Sequence, residues 1–395
     1  MKAIPETEHR KTRKVLAAVT FPVGGIRTFM RYTYSSINTD KYVFDVLTCE
    51  SGEIDALGKD MRQFNAHELI VSKPFRGRHF LFPALYRALR SAKYDLIHSH
   101  GIFAGASVCI VNRFFGVPHI ITVHGLLEES DFKGPSIIRR TTLSLLGRIL
   151  GSTTVIHHVG QDMLQEYRNL FPNQERSGCK IVHIPNGIDV AHYAAVKRIS
   201  HGKIRKTLEI DSNTFLIGYL GRFMPRKGFP ILVRAVEIIE RQSLISKDYV
   251  LVAIGSGDRE KPYKRDIHSK GLSKKIRFLP FQYDVAPVIA EMDLVVMPSL
   301  WEAWPLLPAE VLCVGVALIA SDCLGLRKVI EGTPSIVVPP NDPQALAEAI
   351  AKAATSPPRH AFERFRQEAC NRFDIDRTAE EIERLFDTVT GPSHS

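Results

Sequence analysis

From residue 14 onward the chain alternates short apolar runs with amphipathic segments, the pattern of parallel strands joined by helices. VLAAVT (15–20), YVFDVLT (42–48), HELIVS (67–72), DLIHSH (95–100), HIITVHG (119–125), STTVIHHV (152–159) and KIVHIPNG (180–187) read as strands. Helical stretches such as FLFPALYRALRSA and FAGASVCIVNRFFG lie between them. A second series opens at FLIGYLG (215–221) and continues through YVLVAIG (249–255), KIRFLP (275–280), LVVMPS (294–299), VALIAS (316–321) and SIVVPP (335–340). Two consecutive α/β units are therefore expected, over residues 14–188 and 212–372. Residues 189–211, basic and polar with weak periodicity, are expected to link them. Within 373–391, DIDRTAEEIERLFDTV predicts an amphipathic helix with Ile375, Ala379, Ile382, Leu385, Phe386 and Val389 on one side, followed by a frayed tail.

Composition supports that division. A single core rarely grows past about 250–300 residues, and this chain has 395. A hydrophobic share of 45% and a charged share of 24% exclude disorder, collagen and coiled coil. The net charge of +10 is uneven, with 24 basic and 16 acidic side chains in residues 1–187 against 28 and 26 in residues 188–395. A basic half points to a polyanionic partner, either a nucleic acid or an anionic membrane surface, or else to ordinary solvated charge. Nucleic acid is set aside, because no motif interleaves aromatic and basic residues. The six cysteines are scattered with no C-x-x-C pair, as expected of reduced cytosolic thiols. The basic leader, residues 1–13, is expected to be disordered, and nothing in it or after it serves as a signal-peptide core. No run reaches the ~20 apolar residues a spanning helix needs, so the expected location is the cytoplasm, with any membrane contact peripheral.

Several segments carry chemistry. In VTFPVGGIRTF, Gly24 and Gly25 sit between a strand and a helix, where backbone N–H groups can approach an anion; a plain strand-to-helix turn would use glycine equally well. GYLGRFMPRKG carries Arg222, Arg226 and Lys227 at the carboxyl end of a strand, where ligands bind in open α/β sheets. It lacks Gly-Lys-Ser/Thr and is not a Walker A loop, and GSG (255–257) is explained by a tight turn. MPSLWEAWPLLPAEVLCVGVALIASD is the most informative passage. Glu302 lies in the loop after LVVMPS, and Glu310 falls just inside a helix begun near Pro305 and Pro308. Eight positions of helical rise span about 12 Å, the scale of an extended nucleotide sugar. Histidines gather at strand ends (His98, His100, His124, His157, His158) without an acidic partner at metal-ligand spacing, and His157 and His158 read as satisfied structural residues. Asp374-Ile375-Asp376 has the spacing of a metal-binding D-x-D, but it opens a helix and reads as a cap.

In this order and at these intervals, the Gly24-Gly25 loop, IITVHG with His124, IPNGID (184–189), IGYLGRF with RKG, and Glu302-x7-Glu310 resemble the retaining glycosyltransferases of family 4, the glycosyl transferases group 1. VIEGTPSIVVPPNDPQALAEAI matches the family's downstream segment, and the resemblance covers nearly the whole chain. It implies the GT-B fold: two Rossmann-like, doubly wound parallel-sheet domains facing a central cleft, the first for the acceptor, the second for the nucleotide sugar, with the last helix crossing back. It also implies site roles. Arg222 and Lys227 match the basic pair on the donor's diphosphate, Glu310 the carboxylate on the ribose, and Glu302 the one facing the donor sugar. His124 matches the histidine near the reacting sugar and Gly25 the loop glycine near phosphates or acceptor. Amides near Leu306 and Leu307 would face developing charge on the diphosphate, and the base is expected near residues 277–282. Two departures stand out: Ala303-Trp304-Pro305 replaces the usual Gly-Phe-Gly, and Leu324-Gly325-Leu326 stands where two adjacent glycines are common.

The implied function is transfer of a hexosyl-type sugar from a nucleoside diphosphate sugar to a saccharide or lipid-linked acceptor, in cell-surface polysaccharide or lipopolysaccharide synthesis. No cofactor or metal is expected, since two cations and a helix dipole can replace a divalent ion. Alternatives on the same fold are a sugar-nucleotide epimerase or a phosphorylase-like enzyme; of another class, a catalytically silent scaffold or basic binding protein. With the donor assigned to the near-neutral half, RGRH (76–79) and residues 133–148, with Arg139, Arg140 and Arg148, become candidates for anionic headgroups or a lipid diphosphate.

Overall fold

The structure, a computed structural model, describes residues 12–74, 80–127, 136–174, 178–198 and 202–391. The leader up to residue 11, RGRH, residues 133–135 and the tail beyond Gly391 lie outside the described residues. The chain divides into two compact units, Met1–Gly187 with Ile375–Ser395, and Ile188–Asp374.

The first unit runs β1 (Arg13–Val19), α1 (Gly25–Ser36), β2 (Tyr42–Cys49), α2 (Ile54–Met61), β3 (Ala66–Ser72), α3 (Phe82–Ser91), β4 (Leu96–His100), α4 (Ile102–Asn112), β5 (His119–Val123), α5 (Ser136–Leu150), β6 (Val155–His158), α6 (Gln161–Leu170) and β7 (Lys180–His183). Its seven strands are all parallel, in the order β3-β2-β1-β4-β5-β6-β7. The second unit runs α7 (Val190–Ala195), α8 (Lys203–Leu208), β8 (Phe215–Leu220), α9 (Phe229–Gln242), β9 (Tyr249–Ile254), α10 (Glu260–Ser269), β10 (Ile276–Leu279), α11 (Ala286–Glu291), β11 (Leu294–Met297), α12 (Leu307–Val314), β12 (Ala317–Ser321), α13 (Arg327–Ile330), β13 (Ile336–Val338), α14 (Pro343–Thr355) and α15 (Arg359–Arg372). Its six parallel strands take the order β10-β9-β8-β11-β12-β13. Every strand expected from the apolar runs is present. β13 stops at Val338, short of the expected end, because Pro339 and Pro340 have no N–H to give a ladder.

The central strands are covered on both faces and are largely apolar rather than alternating, whereas β3 and β7 at the edges are only partly buried. In the first unit, Val15, Ala17 and Val19 of β1 pack under α1 on one face, while Leu16 and Ala18 pack under α3 and α4 on the other. A final helix, α16 (Ile375–Thr390), belongs to this first unit and places Ala379, Ile382 and Phe386 in the α1-side core. Burying Ile382 and Phe386 contributes about 2 kcal/mol each. Polar contacts fix its register: Asp387 accepts from Tyr42 at 2.7 Å and pairs with Arg13, and Lys41 pairs with Glu383. Burial alone would raise the Asp387 carboxyl, but hydrogen bonds from Tyr42 and Arg13 and the charges of Lys41 and Arg13 outweigh it and hold the group below its usual range.

The stretch 189–211 is a correction. It is part of the second unit and carries α7 and α8. Arg205 is buried and donates to the carbonyls of Asp211 and Thr214, each at 2.9 Å, and to the Asp293 carboxylate at 3.2 Å. Glu291, also buried, receives the Ile204 amide at 3.0 Å. A periodicity reading misses helices of six residues, and α8 is held by buried charges rather than by an apolar stripe.

Candidate functional site

In a doubly wound sheet the ligand site lies at the carboxyl ends of the strands, where the strand order reverses. In the first unit that point falls between β1 and β4, and in the second between β8 and β11. Arg222, Lys227 and Glu302 lie around the second point and Gly25 near the first, whereas Arg139, Arg140 and Arg148 lie apart on α5.

In the second unit, β8 is followed by Arg222 and a single 3-10 turn, Pro225–Lys227, and β11 by Pro298 to Glu302. Gly228 closes the first loop at φ 70, and a Cβ there would lie 1.8 Å from the carbonyl oxygen of Pro298. Only glycine allows this approach. It sets Lys227 against Glu302, whose two carboxylate oxygens accept from Nζ at 2.7 and 2.8 Å. Ser299 Oγ donates to the same carboxylate at 2.6 Å, and its carbonyl is held in turn by Ser321 Oγ. Gly325 supports the far side: at φ 76, its missing Cβ would stand 2.1 Å from the Glu302 carbonyl oxygen, and the Glu302 amide donates to Leu324 at 3.0 Å. The one glycine of Leu324-Gly325-Leu326 thus supplies the close approach. Glu302 is 6% exposed, so this is a mostly buried ion pair rather than a solvated one. Burial, with the Glu302 charge adding, pushes the Cys323 thiol nearby up to about 11.

Leu306 precedes α12 and Leu307 opens it. Pro308 has no N–H, so the amides of Leu306 and Leu307 head this helix. Glu310 falls in its first turn and accepts from the Tyr193 hydroxyl at 2.9 Å. Arg222 is exposed, and the Arg226 guanidinium lies over the Trp301 ring at 5.2 Å. Ser299 and Tyr193 were missed from sequence. Ser299 stood within the passage that carries Glu302, whereas Tyr193 sits in the stretch read as a linker and gave no signal.

In the first unit Gly25 opens α1 directly after β1, and Phe29 of that helix packs edge-on against His124, ring centroids 4.9 Å apart. His124 follows β5. Alternate strand residues share a face, and the register pairs His100 with Thr122 and Thr122 with His157. His98, His100, His124, Thr122 and His157 therefore meet on the α1 side, joined by Tyr34 of α1 in one hydrogen-bonded cluster. Burial, reinforced by mutual repulsion, holds His98 and His100 well below the ordinary imidazole range and His124 down to about 3. Burial holds His157 down to about 4. Their nitrogens bond to each other, to Tyr34, to Thr122 and to the Ile184 carbonyl instead of converging, and among the described residues no three His, Cys, Asp or Glu side chains form a metal-holding group. His158 corrects the reading of a satisfied residue. It points to the opposite face against Tyr167, and neither ring nitrogen has a hydrogen-bond partner among the described residues.

Two doubly wound parallel-sheet domains of this kind are the architecture of the GT-B class. Residues 23–192 match the family described as Glycosyltransferase Family 4, and residues 200–372 match Glycosyl transferases group 1. The chain belongs to this family. Over 374 residues it is 24% identical to the UDP-Gal:alpha-D-GlcNAc-diphosphoundecaprenol alpha-1,3-galactosyltransferase of Escherichia coli, covering 92% of this chain and 94% of that protein. It is 27% identical to the D-inositol 3-phosphate glycosyltransferase of Corynebacterium glutamicum, over 83% and 82% of the two chains. The structure of Anabaena HepE in complex with UDP and glucose shares the fold, with a TM-score of 0.78 at 20% identity over 95% of this chain and all of that one.

Proposed function

We propose that the second unit binds a nucleoside diphosphate sugar and that the enzyme transfers its hexosyl group, with retention, to a saccharide or lipid-linked acceptor in cell-surface polysaccharide or lipopolysaccharide synthesis. The Lys227-Glu302-Ser299 cluster at the β8/β11 switch point carries this reading. Two of the three N–H donors of Lys227 are spent on Glu302, which leaves the third for a phosphate. As the bond from the sugar carbon to the diphosphate oxygen breaks, negative charge moves to the leaving group. Lys227, Arg222 and the amides of Leu306 and Leu307 stabilise that charge as it develops. They supply what a divalent ion otherwise would, so the reaction proceeds without one. A leaving-phosphate oxygen takes the acceptor's hydroxyl proton on the same face of the sugar. Glu302 then orients the sugar and does not attack it. Glu310, braced by Tyr193, accepts from the ribose hydroxyls. Phe281 and Tyr283, both exposed just past β10, offer rings for the base.

The relatives add the acceptor class: the Escherichia coli protein's name specifies a diphosphoundecaprenol substrate. No helix among the described residues is long and apolar enough to cross a membrane. With residues 375–395 counted in the first unit, each unit carries 26 basic and 21 acidic side chains, so net charge does not single out either one. What marks the first unit is α5, which exposes Ile137, Ile138 and Leu145 beside Arg139, Arg140 and Arg148 and borders a cavity of about 790 Å³. Apolar side chains flanked by guanidinium groups suit an anionic bilayer surface and a lipid diphosphate. Replacing the three arginines by glutamine is expected to abolish sedimentation with anionic liposomes; unchanged sedimentation would remove the membrane from the proposal.

The donor site has its own test. Lys227→Ala and Glu310→Ala are each expected to weaken nucleotide-sugar binding by about tenfold or more in calorimetry, the worth of a hydrogen bond to a charged group. Parental affinity in both variants would show that the donor binds elsewhere.

A further inference from the structure

The histidine cluster of the first unit is a single unbranched chain. His124 Nε2 lies 3.0 Å from His100 Nδ1, His100 Nε2 2.7 Å from Tyr34 Oη, and Tyr34 Oη 2.8 Å from His98 Nδ1. His98 Nε2 lies 2.6 Å from Thr122 Oγ1, Thr122 Oγ1 2.9 Å from His157 Nδ1, and His157 Nε2 2.8 Å from the carbonyl oxygen of Ile184. Each ring uses both nitrogens except His124, which stands at the end with Nδ1 beyond the chain.

One end of this chain is fixed. A carbonyl only accepts, so His157 Nε2 carries the hydrogen. The imidazoles are neutral, with one N–H each, because burial disfavours their charged form. His157 Nδ1 is then a lone pair and takes the Thr122 hydroxyl hydrogen. Thr122 must accept from His98 Nε2, His98 Nδ1 from the Tyr34 hydroxyl, Tyr34 from His100 Nε2, and His100 Nδ1 from His124 Nε2. Reversing any member leaves two lone pairs or two hydrogens face to face at under about 3 Å, which burial makes costly.

We infer that the Ile184 carbonyl, acting through His157, Thr122, His98, Tyr34 and His100, fixes His124 in its Nε2–H tautomer, so that His124 meets substrate with Nδ1 as a hydrogen-bond acceptor. Thr122 and Tyr34 are positioning residues: they touch no substrate, and the order of protons passes through them. The consequence for specificity is direct. Nδ1 accepts a hydrogen bond from a sugar hydroxyl and has no hydrogen to give to a carbonyl, a ring oxygen or a phosphate, so a donor whose hydroxyl at that place is missing or methylated is rejected. This rests on His124 facing the reacting sugar.

Long-range proton–nitrogen correlation spectra of the full chain labelled with 15N-histidine report each tautomer directly. The expected result is that His98, His100, His124 and His157 all carry hydrogen on Nε2. A His124 protonated on Nδ1, or on both nitrogens, in the parent protein overturns the proposal. Thr122→Val, nearly isosteric, cuts the chain and frees the three rings beyond it, so His124 is expected to show the Nδ1–H form. kcat is expected to fall about tenfold, the worth of one hydrogen bond, with KM for the nucleotide sugar changed less than twofold. Thr122→Ser restores the hydroxyl and both readouts. A valine variant with an unchanged His124 tautomer also overturns it. His124→Ala separates the two ideas: full activity there refutes the substrate contact, and with it the consequence for specificity, whatever tautomers the spectra show.

Discussion

The two units place polar groups near the same topological position and solve the problem of burial in opposite ways. At the β8/β11 point the second unit keeps its charges, with a lysine 23% exposed against a glutamate 7% exposed by side chain. Beside its β1/β4 point, across β4, β5 and β6, the first unit gathers four histidines, holds them neutral and uses both nitrogens of three of them within the protein. A charge survives burial when an opposite charge and a hydroxyl meet it at hydrogen-bond distance; a group without such a partner gives up its charge instead. The first arrangement suits a diphosphate, whose negative charge must be met by positive charge. The second suits a hydroxyl, which needs a neutral acceptor at a defined position.

The difference should appear first as unequal acid sensitivity, the largest effect expected. A histidine whose folded pKa lies below its unfolded value of about 6.5 adds stability above that value and loses it as the pH falls toward the folded pKa. With His157 at about 4 and His124 at about 3, and His98 and His100 also depressed, the loss for the first unit runs from about pH 6.5 downward. Each ring costs about 1.4 kcal/mol per pH unit within that window, and His119, His158 and His183 of the same unit, also held low by burial, add to these four. Asp387, held low by Tyr42 and Arg13, adds to the loss only at still lower pH. Both tryptophans, Trp301 and Trp304, lie in the second unit and report on it alone. In urea titrations at pH 7 and pH 5, the circular dichroism midpoint is expected to fall at pH 5, with an early phase absent from tryptophan emission. Equal loss in both signals would mean that the histidines do not set the first unit's stability.

The fold was legible because buried parallel strands are apolar runs, and thirteen of them stand out against amphipathic helices. Lys227, Glu302, Glu310 and His124 could also be picked out, since each follows or closely borders such a run. What holds them was not legible. Tyr193 reaches Glu310 from a six-residue helix whose sequence lacks a stripe, and Arg205 and Glu291 are buried charges that read as surface. Tyr34 and Thr122 look like core residues of α1 and β5, and only the register of three strands brings them between histidines. The Ala303-Trp304-Pro305 departure was legible as a departure, and it leaves Glu302 in contact with Lys227 because that contact depends on Gly228 and Gly325.

A smaller effect tests whether the second unit's charges are there for stability or for the ligand. Lys227→Ala leaves the Glu302 carboxylate mostly buried with Ser299 as its remaining donor, and should destabilise the second unit by about 3 kcal/mol, read from the tryptophan transition. Replacing both partners, Lys227→Met with Glu302→Leu, removes the unpaired charge as well as the pair, and stability should return to within about 1 kcal/mol of the parent. Nucleotide-sugar binding should not return. A double variant as unstable as Lys227→Ala would mean that packing around these side chains, rather than their charge, is what the second unit depends on. If stability returned and donor binding with it, the ion pair would be structural and the diphosphate would bind elsewhere. Stability regained without binding separates the two units most clearly: in the second unit the charge is kept for the ligand at little benefit to the fold, whereas in the first unit the neutral chain serves fold and ligand together.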